Sequence, residues 1–212
     1  MAYDLEQQES MAAMRAWFEQ NANLLIGILV VVALGLAGNS GWRWYQQREA
    51  GASAALYEQY RKAVTEKDTV RAREVAAALM QDHARSAYAS FAALNQARLS
   101  IDAGDATAAK AQLQFVIDRS GSAELAALAR VRLAGVLLDE KSYDQGLALL
   151  DKADAPAALA AEVSDRRGDL LFAQGKAAEA RTAYAKALEQ AGPQSTLRSL
   201  IQSKLDALPA AG

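Results

Sequence analysis

Few side chains in this sequence could do chemistry, and their spacing assembles none of them into a reactive set. His83, in the segment ALMQDHARSAY, is the chain's one histidine, and there is no cysteine. Disulfides, zinc fingers and thiol catalysis are therefore excluded, and one histidine cannot build a multi-histidine metal site. Its position suggests a solvated residue near a helix end. Two carboxylate pairs stand out. Asp165 and Asp169, four apart, share a helix face; Asp102 and Asp105 flank a turn. Paired carboxylates can divide into acid and base when their surroundings drive their pKa values apart. Neither pair has a sequence neighbour that would raise a pKa or complete a metal site. The remaining carboxylates are scattered over helix faces, where solvation or i,i+4 pairing is their ordinary use. G-x-S-x-G, the P-loop and G-x-G-x-x-G are all missing. We therefore expect no catalytic residue, no cofactor, no metal and no small-molecule substrate.

What the sequence does build is helix. Fifty of 212 residues are alanine, the strongest helix former and one that lets helices approach closely. The three prolines stand at 156, 193 and 209, so little interrupts the helical pattern. From about residue 48 the chain repeats itself. Gly168, Gly175, Ala180, Tyr184 and Ala187 mark one unit. Ala134, Lys141, Tyr143, Gly146, Leu150 and Ala153 mark another, 34 residues earlier in phase. Ala97, Gly104, Ala109, Leu113 and Val116 mark a third, 37 residues before that. A weaker unit surrounds Tyr60, Lys67, Ala72, Ala76 and Leu79. A 34-residue helix–turn–helix period is the tetratricopeptide signature.

The spacing has a physical basis. Gly168 and Ala180 should sit where the two helices of a hairpin cross. Gly104, Lys141 and Gly175 should occupy the turns, where glycine takes positive φ without strain. Tyr184 should pack between neighbouring units, and Gly192-Pro193 should end the last repeat. Ser195 reads as the N-cap of a final helix through about Leu208. Its apolar face would hold Leu197, Leu200, Ile201, Leu205 and Leu208, and its polar face Arg198, Gln202 and Lys204. Such a helix would cap the stack.

Stacked hairpins present an extended binding surface. The first helix of each hairpin would line it with Phe91, Leu94, Arg98 and Ile101, then Leu128, Val131 and Leu138, then Asp165, Asp169 and Phe172. The mixture is apolar at one end and acidic at the other. It suits an extended peptide or a partner helix, although any one of its apolar members could equally be inter-helix core.

Residues 24–38, LLIGILVVVALGLAG, are all apolar or glycine, and no charge falls between Glu19 and Arg43. A helix crosses a hydrocarbon core of about 30 Å with about 20 mostly apolar residues. Continuing through Asn39, Ser40, Gly41 and Trp42 reaches that length. Trp17 and Phe18 before the stretch, and Trp42, Trp44 and Tyr45 after it, suit the membrane–water interfaces, and Arg43 can snorkel to the headgroups. A retained transmembrane helix over 22–45 is the expectation. Two rivals are a buried core segment and a signal peptide cleaved near Gly35-Leu36-Ala37. The first fits poorly with a stretch lacking a polar face. The second fits poorly with a long preceding tail that carries Asp4, Glu6, Glu9 and Glu19 against Arg15 alone. The fold expected is thus all-α: an acidic tail over 1–21, the span over 22–45, a helical connector and degenerate first repeat over 46–90, tetratricopeptide-like repeats over 91–194, and a capping helix and tail over 195–212.

Net charge is −2 with a sequence pI near 5.5. No basic stripe with interleaved aromatics appears, so nucleic acid is not expected as a partner. Arg43 and Arg48 against Arg15 slightly favour a cytoplasmic C-terminal domain, but long domains cross regardless of such counts. Topology is open on charge alone.

Taken together, MRAWFEQNANLL, the glycine-bearing span, GWRWY, ASAALYEQYRKAV and the repeats after them resemble the ancillary SecYEG translocon subunit family. The resemblance runs through nearly the whole chain, and the aromatic-flanked span is its most specific part. It implies a bacterial inner-membrane protein with a cytoplasmic N-terminus and a periplasmic repeat domain. It also implies association with the Sec translocon and with a membrane-anchored periplasmic chaperone of prolyl-isomerase type, assisting hand-over of exported proteins. Other readings are a tetratricopeptide scaffold or receptor of other membrane complexes, and a soluble periplasmic assembly factor released by cleavage.

Overall fold

The computed structural model describes residues 2–152 and 155–209, with side chains from residue 11 onward except at 13 and 25. Among the described residues it holds nine α-helices and no strand. They are α1 (Ala2–Thr65), α2 (Thr69–Asp82), α3 (Ala87–Asp102), α4 (Ala106–Arg119), α5 (Ala123–Asp139), α6 (Tyr143–Asp151), α7 (Ala160–Ala173), α8 (Ala177–Gln190) and α9 (Leu197–Asp206). A short 3-10 turn, Ala157–Leu159, precedes α7. The chain divides into two compact units, Met1–Gly51 and Ala52–Gly212.

In the first unit the helix begins at Ala2, so the acidic tail is itself helical in backbone. No glycine or proline occurs before Gly27, and Glu, Gln, Met and Ala dominate there, all good helix formers. Ile26–Thr65 contains a stretch long and apolar enough to cross a membrane. Within it Leu29, Val31 and Leu34 are 68%, 70% and 68% exposed. Trp17 meets Phe18 edge-on at 5.4 Å. Trp42 stacks on Tyr45 at 6.2 Å, and the Arg48 guanidinium lies 5.5 Å from the Trp44 ring. Between Phe18 and Trp42 the helix rises about 36 Å at ~1.5 Å per residue. That spans a hydrocarbon core and reaches the headgroup level on both sides.

The second unit is a series of hairpins. The end of α1 pairs with α2, then α3 with α4, α5 with α6 and α7 with α8, with α9 against α8. All four turns share one construction. The third residue after Val64, Ile101, Leu138 and Phe172 is the positive-φ residue: Lys67 (58°), Gly104 (76°), Lys141 (60°) and Gly175 (80°). In each, its N–H reaches back to the residue three before it, and the next N–H reaches back five: Asp68 to Ala63 at 2.9 Å, Asp105 to Ser100 at 2.8 Å, Ser142 to Leu137 at 2.8 Å and Lys176 to Leu171 at 2.9 Å. This satisfies carbonyls that a helix end leaves orphaned. The residue after the positive-φ position then opens the second helix. Asp68 and Asp105 accept from Arg71 N–H and Ala108 N–H as true side-chain caps; Ser142 and Lys176 do not. The weak first repeat is therefore a full hairpin, and the role of Asp105 is a helix cap. Asp102, three residues earlier, is exposed. The landmark Ala153 lies outside the described residues.

Alanines fill the interfaces. Ala89, Ala92, Ala97, Ala109, Ala127, Ala129, Ala134, Ala180 and Ala187 are all fully buried, interleaved with Leu79, Leu113, Leu150 and Leu170. Two close approaches use glycine. A Cβ on Gly168 would fall 2.4 Å from the Tyr184 ring, and one on Gly146 would fall 2.8 Å from a Leu170 methyl. Tyr184 thus packs onto the first helix of its own hairpin and also meets the helix that follows, where the Lys204 ammonium lies 5.5 Å from its ring. The contact between units is Gly146 of α6 against Leu170 of α7.

The capping helix also differs from expectation. It starts at Leu197, with Thr196 at the cap position and the Ser195 hydroxyl accepting from Leu197 N–H at 3.3 Å. Arg198 and Lys204 do not form an outer polar face. Arg198 donates to the carbonyls of Leu188 and Ala191 at 2.7 and 2.9 Å, closing the end of α8. Lys204 turns onto α7. Leu200, placed on the apolar side by its spacing, is 51% exposed, while Ile201 and Leu208 are buried.

Candidate protein-binding groove

The first helices of successive hairpins repeat four positions on one face, at three, six, ten and thirteen residues before the positive-φ residue. The spacing of three, four and three keeps them in line along a helix. The structure separates the residues expected there into three groups. Phe91 (40% exposed), Ile101 (41%) and Phe172 (48%) stand in the open, as does Arg98. Leu128 and Leu138 are half-buried at the edge of the core. Leu94 and Val131 belong to the core itself: Leu94 packs with Leu113, Val116 and Leu133, and Val131 with Leu150, Val163 and Leu170.

Asp165 and Asp169 are not an open acidic end. Lys204 donates to both oxygens of Asp165 at 2.8 Å and pairs with Asp169 at 2.7 Å. Asp169 also accepts from the Tyr184 hydroxyl at 2.8 Å and from Arg166 at 3.2 Å. Burial raises the Asp165 carboxyl above its ordinary value, opposed by the Lys204 hydrogen bond. Burial first, then the Asp169 charge, hold the Tyr184 phenol protonated far above its usual range. So Asp165 has both the partner and the raised pKa that its neighbours in sequence gave no sign of. Lys204 lies 39 residues away, which is why they gave none. The cluster joins α7, α8 and α9 and is a structural lock.

Other residues on this face went unread. Tyr57, ten before Lys67, occupies the same repeat position as Leu94. Its ring lies 5.2 Å from Tyr88 and 6.2 Å from Phe91, forming an aromatic patch; the repeat register alone would have found it. Asn95, Arg132 and Arg166 each stand nine before a positive-φ residue. The Arg166 guanidinium crosses Gly135, 3.4 Å from where a Cβ would sit. Arg132 donates to the carbonyl of Leu94 at 3.4 Å. His83 is half-buried just after α2, its N–H on the Leu79 carbonyl. Among the described residues, no group of three or more His, Asp or Glu is placed to hold a metal.

An exposed apolar helix and a stack of two-helix modules define a helical-repeat protein. Residues 15–210 match the model of the tetratricopeptide repeat-like domain. The chain is 32% identical to the ancillary SecYEG translocon subunit of Neisseria gonorrhoeae, across 98% of this chain and 100% of the relative. It is 28% identical to that of Escherichia coli, across 97% and 98%, and 26% identical to that of Haemophilus influenzae, across 92% and 94%. The chain belongs to the family of ancillary SecYEG translocon subunits.

Proposed function

We propose that the chain is a non-enzymatic, membrane-anchored adaptor of the Sec translocon in a bacterial inner membrane. The observation that carries this reading is a bare apolar helix, flanked by aromatic rings, in one chain with a hairpin stack that matches a family named for the translocon. The N-terminus lies in the cytoplasm and the repeats in the periplasm. There they meet emerging polypeptides and a membrane-anchored chaperone of prolyl-isomerase type, to which exported proteins are handed over. Phe91, Arg98, Ile101 and Phe172 supply the accessible part of the binding face. Tethering beside a partner raises effective concentration, so modest affinity is enough.

The test is photocrosslinking in intact membranes from probes at Phe91, Ile101 and Phe172. Adducts to translocon or chaperone subunits are expected. Adducts only to unrelated membrane complexes would replace this reading with that of a general scaffold.

A further inference from the structure

Resting on the reading of this face as a binding surface, we propose that Arg98 and Arg132 form an anchor for a carboxylate of a bound peptide, with apolar side chains of that peptide seated on Phe91 and Ile101. The two arginines come from neighbouring hairpins, on α3 and α5. Arg132 reaches across to the Leu94 carbonyl, one turn before Arg98 on the same helix. Its charged form is disfavoured, first by partial desolvation and then by the like charge of Arg98. Two guanidinium groups remain charged at any physiological pH, so the fold holds two like charges together.

Among the described residues no carboxylate lies within ion-pairing distance of either guanidinium. The carboxylates of the next hairpin are committed: Asp165 and Asp169 to Lys204, and Asp169 also to Arg166. A carboxylate and flanking apolar groups belong together in one chemical class, a peptide with an acidic residue between aliphatic or aromatic ones. Bidentate arginine–carboxylate pairing would add geometric selectivity.

The test uses the full chain in detergent micelles and fluorescence anisotropy with three twelve-residue peptides of the same Phe- and Leu-containing sequence. One carries internal Glu and an amidated end, one carries Gln and a free carboxyl end, and one carries Gln and an amidated end. The Glu peptide should bind at least tenfold more tightly than the amidated Gln peptide, and added salt should shrink the difference. The free-acid Gln peptide tells whether a chain end serves as well as a side chain. Arg98→Glu and the double variant Arg98→Gln/Arg132→Gln should erase the preference, and Arg98→Lys should restore part of it. Arg98→Glu changes an exposed side chain, so it decides the matter if the double variant unfolds. Equal binding of the Glu and amidated Gln peptides, or an unchanged preference in Arg98→Glu, would overturn the proposal. Failure is separable from failure of the adaptor reading. Translocon crosslinks that persist without peptide preference sink only the anchor; peptide preference without translocon crosslinks sinks only the adaptor.

Discussion

At the scale of single residues, the Gly168–Tyr184–Asp169–Lys204 cluster makes the sharpest predictions. A methyl on Gly168 meets an aromatic ring at 2.4 Å, hemmed by Ile201 and Leu208. Gly168→Ala should therefore lower stability by about 1–3 kcal/mol as overpacking, although alanine is the better helix former. Thermal unfolding of the variant checks this. Lys204→Met leaves Asp165 without its cation and Asp169 with Arg166 alone, and should cost roughly 2–4 kcal/mol at neutral pH. The pH dependence has a definite sign. Asp165 is already raised in the folded state, so its protonated form favours the fold and that contribution fades as pH rises through the raised value. Removing Lys204 takes away a group that lowers it, and the carboxyl rises further. The gap between variant and parent should narrow as pH falls toward the ordinary carboxylate range of about 4. A gap that stays the same on acidification would show that Lys204 contributes through packing alone. None of this was legible in sequence beyond the glycine and the tyrosine as landmarks. Partners 15 and 39 residues apart are brought together by hairpin geometry, and local spacing carries no information about them.

At the scale of elements, the turns were the most legible feature. The landmark positions 67, 104, 141 and 175 all adopt positive φ, because a helix that must reverse within two residues needs one left-handed residue to recover its last carbonyls. Two of the four use lysine, at a cost of about 1 kcal/mol for the crowded Cβ. Lys141→Gly should consequently stabilise the fold by roughly 0.5–1 kcal/mol, less than the full steric relief because glycine loses more freedom on folding. Denaturant unfolding with an unchanged m-value checks it. Lys176 stands where Asp68 and Asp105 cap their helices. Lys176→Asp should add about 1 kcal/mol by supplying the missing acceptor to α8. The face of each first helix was legible in phase and only partly in depth. Leu94 and Val131 occupy the repeat position that borders both groove and core, and an apolar side chain there sinks into the core, whereas Tyr57 at the same position is only half-buried and meets Phe91. Which way such a residue turns depends on the volume left by its neighbours, and a single sequence does not state that volume.

At the scale of the whole molecule, the question is which solvent each part meets. The apolar stretch leaves Leu29, Val31 and Leu34 more than two-thirds exposed. At about 25 cal/mol per Å² that surface would be strongly unfavourable in water, so hydrocarbon is the medium that matches it. The central valine is the position most sensitive to this. Val31→Arg should disfavour insertion by about 2.5–3.5 kcal/mol on a biological insertion scale, moving chain from the membrane fraction to the soluble or degraded one, while Leu200→Arg, also exposed but on the capping helix, should not. Orientation is a separate matter, since Arg43 and Arg48 outweigh Arg15 and pull against the proposed topology. Protease added to spheroplasts decides it: the hairpin stack should be digested with the inner membrane intact, leaving a fragment that contains the span. Survival of residues 52–212 under the same treatment would put the stack in the cytoplasm, where the Arg98–Arg132 face would meet cytosolic peptides and the adaptor reading would have to be rebuilt on that side of the membrane.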